Sequence, residues 1–179
     1  MSVRVFSLTA AAVLAVATVA WAIQGDPIPG ADISAEESPG GIRVLSGVSN
    51  EAGNVDWRAP TPGTFVISIS GPTAVAACRR AIDALPPEER RRIGRGTVLG
   101  RSGGPYSRVG TTNGPGVVVD LSNATGGLVA AQWASCDALT TGRPDAKARL
   151  TPIILDRAQA AGPLTIGVGY VAGPTTRGG

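Results

Sequence analysis

The sequence predicts a mainly β protein, an antiparallel β-sandwich or partly open barrel with one inserted helix at about 72–85. Three observations support this. Short apolar or alternating segments recur, roughly five to seven of them, with Gly/Pro punctuation about every 8–12 residues. Sustained three- and four-residue apolar spacing occurs once, in the 72–85 segment. The 25 glycines and 14 prolines, about 22% of the chain, fall mostly between those segments. A compact α+β fold, with the helix packed on one sheet, is the alternative. The strand segments share neither a motif nor a constant spacing, so no repeat architecture is expected.

Residues 1–22 read as a cleaved signal peptide. Arg4 supplies a short basic start, and Val5 to Ile23 carries no charge over 19 residues. Ala20-Trp21-Ala22 then offers the small-x-small pattern of a cleavage site. The apolar run is also near the lower limit for a membrane span, so retention as an anchor is the competing expectation. No Cys follows it to suggest lipidation, and no second long apolar run follows, so no membrane span is expected after cleavage. The expected location is exported: periplasmic, cell-surface or extracellular.

Residues 23–39 carry four carboxylates, Asp26, Asp32, Glu36 and Glu37, and no basic residue. With three prolines in 23–41, the stretch reads as an extended acidic N-terminal arm preceding a single β-rich domain over 40–172. A short strand is expected at 41–47. The clearest strand is 64–70, where Phe65, Ile67 and Ile69 alternate with polar or smaller partners between Pro-Gly and Gly-Pro.

In 72–85, Val75, Ala76, Cys78, Ala81, Ile82 and Leu85 share a helical face, with Thr73 as the expected cap. Pro86-Pro87 ends that helix and starts a second short turn, with acids first and arginines last. Residues 94–116 hold eight glycines and read as loop. Runs at 116–121 and 128–133 flank Asn123-Ala-Thr-Gly-Gly127 and suggest a hairpin, a helix over 128–139 being the competitor. Strands are expected at 148–155, demoted to an edge by Pro152, and at 164–171. Residues 173–179 read as a flexible tail.

Chemistry is bounded by the zero count of histidine. That removes His triads, His metal sites and imidazole acid–base work. No cofactor or metal site is expected. Cys78 and Cys136, in an exported chain, read as one disulfide, which in the chain-entropy view contributes about 4 kcal/mol.

The charge is unevenly spread. Residues 61–108 carry eight arginines against three acids, whereas 23–60 carries six acids against two arginines. Arg79, Arg80, Arg90, Arg91, Arg92 and Arg95 are the candidate anion-binding residues, because planar guanidinium groups suit carboxylate, sulfate or phosphate. A solvated, locally ion-paired helix face is the competing reading. Nucleic acid is disfavoured, since Tyr106 alone is nearby for base stacking. Trp57 and Trp133 are candidates for an exposed aromatic contact, or else large plugs in a core poor in Phe. Gly94-Arg-Gly96-Thr-Val-Leu-Gly100 lacks the strand and helix that a dinucleotide site needs. Asn123-Ala-Thr125 matches a glycosylation acceptor but reads first as a turn.

The leading functional expectation is a non-enzymatic exported β-domain for binding or assembly at the cell envelope, such as a surface or filament subunit. Self-association, with the acidic arm of one subunit docking on the basic region of the same or a neighbouring subunit, or an envelope protein partner, belongs to that reading. A soluble module for a polyanion or acidic polysaccharide, acting through Arg79–Arg108, is the first alternative. The second is a hydrolase using paired carboxylates drawn from Asp120, Asp137 and Asp156. An enzyme is the weaker expectation.

Overall fold

The computed structural model describes residues 26–92, 107–109 and 115–171. The expected signal segment, the 173–179 tail, Arg95 and most of the glycine-rich loop lie outside them. Eleven strands are described: β1 (Asp26–Pro27), β2 (Asp32–Glu37), β3 (Arg43–Val48), β4 (Asn54–Trp57), β5 (Gly63–Ser70), β6 (Ser107–Val109), β7 (Gly116–Asn123), β8 (Leu128–Ser135), β9 (Ala148–Arg149), β10 (Ile153–Leu155) and β11 (Leu164–Val171). Three helices join them: α1 (Pro72–Asp83), α2 (Pro87–Arg92) and α3 (Arg157–Ala160). A single 3-10 turn, Cys136–Ala138, follows β8.

The strands form two sheets. In sheet I, β11 and β7 are central, β8 and β6 continue one side, and β1 and β4 lie end to end along the other edge of β11. In sheet II the order is β5, β2, β3, with β9 and β10 end to end on the outer side of β5. All pairs are antiparallel except the short β6–β8 pair, which is parallel. Alternation explains the stacking. Ile33 and Ala35 of β2, with Phe65, Ile67 and Ile69 of β5, meet Val117, Val119 and Leu121 of β7 and Leu164, Ile166 and Val168 of β11 in one buried cluster. The fold is therefore a β-sandwich with an inserted helix.

The hairpin competes successfully with the helix at 128–139. β7 and β8 pair from Gly116↔Ser135 to Ser122↔Leu128, and Asn123 closes the turn by accepting from the Gly127 amide and the Thr125 hydroxyl. Pro152 interrupts the predicted 148–155 strand, which divides into β9 and β10 on the outer side of β5.

The extended acidic arm expected ahead of a 40–172 domain is instead part of the sandwich. Its residues supply β1 and β2, and β2 lies inside sheet II with β3 on one side and β5 on the other. Ile28, Ala31, Ile33 and Ala35 are almost wholly buried. Ser49 ties down the approach to β2, accepting from the Ala31 amide and donating to the Ile28 carbonyl at 2.6 Å. Apolar residues at 31, 33 and 35, interleaved with Asp32, Ser34 and Glu36, are a half-buried strand whose acids point outward.

Candidate functional site

One end of the sandwich is built by α1. β5 ends at Ser70, and Gly71, with φ +95°, turns the chain into the helix, where Pro72 takes a first-turn position. The Asp32 carboxylate lies over Gly71, where a Cβ would collide with it. Its charge faces the positive end of α1. Thr73 is not the cap: its hydroxyl donates to the Gly30 carbonyl, and the helix has no side-chain N-cap bond.

α1 sits close to the sheets because its inner face is small, with Ala74, Ala77, Cys78 and Ala81 buried. Its outer face carries Arg79, Arg80 and Asp83, all exposed. Cys78 is bonded to Cys136 with a Cα separation of 5.3 Å, within ordinary disulfide geometry. This staple fixes α1 to the 3-10 turn after β8. The chain leaving that turn passes Leu139, which is buried, and returns as Arg143-Pro-Asp-Ala-Lys147 opposite the helix.

Between α1 and 143–147 lies a groove of about 830 Å³. Four cations line it, Arg79, Arg80, Arg143 and Lys147, together with Asp32, Asp83 and Asp145. Among the described residues, none of the four cations lies within 4.0 Å of a carboxylate. The apolar lining is small, Val75, Ala76, Ala146 and the prolines at 72 and 144, and no aromatic ring among the described residues contributes. Arg80 also reaches the neighbourhood of Tyr170 at the end of β11. The Tyr170 phenol is held above its usual pKa first by its hydrogen bond to Asp26, then by burial and the Asp26 charge, with Arg80 opposing.

The arginines predicted as one patch have different placements. Arg79 and Arg80 line the groove. Arg90 instead serves α1, its Nη2 donating to the carbonyls of Asp83 at 2.7 Å and Leu85 at 3.1 Å, which closes the helix C-terminus. Arg91 and Arg92 end α2, and Arg95 lies outside the described residues.

Of the two readings of Trp57 and Trp133, burial selects the core plugs over the exposed contact. Trp57 is buried in the core edge-to-face with Phe65, ring centroids 5.2 Å apart. Trp133 is buried against Gly116, where a Cβ would enter the indole. The three carboxylates named for hydrolysis do not line the groove. Asp156 caps α3 in a reciprocal capping box with Gln159, beyond the Leu155↔Gly63 pair and thus away from the α1 end. Asp137 lies in the 3-10 turn, and Asp120 is on β7.

Sequence reasoning missed Arg143 and Lys147. The partial signal was the expected Cys78–Cys136 bond, which sets the chain at Cys136 beside α1, seven residues before Arg143. Among the described residues, no helix is long and apolar enough to cross a membrane. Comparison with protein-family models, curated proteins and solved structures finds no match to this chain.

Proposed function

We propose that this chain is an exported, disulfide-stapled β-sandwich that binds an anionic ligand at the cell envelope or outside the cell. The observation that carries the reading is the groove between α1 and 143–147, with four cations on its walls and no ion pair among the described residues to neutralise them. A guanidinium or ammonium group in a concave surface offers directed donors to carboxylate, sulfate or phosphate. Asp32 is already opposed to the helix N-terminus, which leaves the balance of the groove positive. Export is supported by the Ala20-Trp21-Ala22 pattern and by a disulfide buried at the join of helix and turn. Of the expected binding and assembly roles, binding is carried forward, because the arm invoked for subunit docking is an interior strand.

The test is salt-dependent retention on a carboxylate-bearing resin. Arg79→Glu/Arg80→Glu is compared with the charge-matched Arg58→Glu/Arg157→Glu, placed on exposed positions elsewhere. The groove variant should elute at clearly lower salt than the control. Equal elution would show that overall charge, not the groove, holds the anion. For export, N-terminal sequencing of the secreted chain should begin at Ile23; a start at Met1 would contradict cleavage.

A further inference from the structure

We infer that the groove selects a glycan bearing isolated carboxylates among free hydroxyls, a uronate-type oligosaccharide, over a densely sulfated one. The inference rests on the anion-binding reading above and specifies its ligand. Its basis is the acids that share the groove with the cations. Arg79, Arg80 and Asp83 occupy one face of α1 at three- and four-residue spacing, and Arg143, Asp145 and Lys147 alternate along the facing turn. With Asp32 facing the helix start, Asp83 and Asp145 remain as acceptors within reach of a bound chain.

Carboxylates in an anion site are costly for a ligand that is negative at every position, because like charges repel across a short distance. They are useful to a ligand that also carries hydroxyl donors, since an ionised carboxylate accepts two or more such bonds. A uronate ring provides both parts, one carboxylate for a guanidinium fork and hydroxyls for an aspartate. A neutral sugar chain lacks the first. Nor could it compensate by stacking on the described residues, none of which brings an aromatic ring to the groove.

The experiment is calorimetric titration of the secreted, oxidised chain with three probes at one ionic strength: polygalacturonate oligosaccharides, their fully methyl-esterified forms, and heparin fragments of similar length. The wild type should bind the uronate most tightly, heparin less tightly, and the ester least. Asp83→Asn/Asp145→Asn should weaken uronate binding by about tenfold, the loss of a charged acceptor, while strengthening heparin binding. Arg79→Ala/Arg80→Ala should weaken both anions. Tighter binding of heparin than uronate, equal binding of the ester, or strengthening of both anions by the Asp→Asn pair would overturn the glycan assignment while leaving an anion groove in place. Anion binding indifferent to Arg79→Ala/Arg80→Ala would instead remove the groove reading itself. Circular dichroism of each variant separates loss of the site from loss of the fold.

Discussion

Arginine and carboxylate side chains meet in two places, with opposite results. On the outer face of sheet II, Glu36 lies between Arg43 and Arg149, with both contacts at 3.7 Å. The arginines arrive from β3 and β9, so the trio crosses the sheet above β2 and β5. There the Glu36 side chain is only 14% exposed, and its charge is answered by neighbours. At the α1 end, Arg79, Arg80, Arg143 and Lys147 share a groove with three acids and form no ion pair among the described residues. The same residue types close a surface in one place and leave donors available in the other. Charge density does not separate the two; strand register and the disulfide do.

The largest effect should come from removing the staple that builds the groove. Cys78→Ala/Cys136→Ala should cost up to about 4 kcal/mol of stability. It should also weaken anion binding, because α1 and 143–147 lose their covalent tie. Thermal unfolding and titration on the same sample check this. Unchanged affinity in a folded variant would show that packing alone positions the two walls.

On the sheet II side, Ile33→Ala should cost about 3 kcal/mol, within the range for truncating a buried aliphatic side chain. Ile33 is 1% exposed inside β2, and a free arm would show almost no change in denaturant midpoint. Smaller still is Arg90→Ala, which removes a charged donor from the last carbonyls of α1 and should cost about 1 kcal/mol. Anion affinity should fall less than for Arg79→Ala/Arg80→Ala, since Arg90 acts on the helix end.

The smallest effect is a titration. In a Tyr106→Phe background, Tyr170 should ionise above the usual value of about 10, read from tyrosinate absorbance. Because the folded value is raised, its contribution to stability is fully present below the unfolded value and is lost as pH rises through the folded one. Asp26→Asn should bring the titration down. No change would remove Asp26 as the main cause.

Much of the fold was legible in the sequence because its signals are local. Alternation at 64–70, the helical spacing from 72 and the turn chemistry of 123–127 each specify an element without reference to the rest. β2 was hidden by the acids and prolines around it, although Ala31, Ile33 and Ala35 keep a period of two. The groove was half legible. Arg79 and Arg80 were visible as charge, but Arg143 and Lys147 lie more than 60 positions along the chain and are joined to them only through the fold. The tryptophans went to the interior because two sheets with few Phe residues need large side chains to fill them.

The comparison between the two charged regions is tested most directly by one paired titration with polygalacturonate oligosaccharides. Arg79→Ala/Arg80→Ala and Arg43→Ala/Arg149→Ala remove the same formal charge from the two regions. The groove pair should weaken binding by about tenfold or more, with little change in melting temperature. The sheet pair should leave affinity near that of the wild type. Equal losses from both pairs, or a larger loss from the sheet pair, would contradict the assignment of the site to the α1 groove.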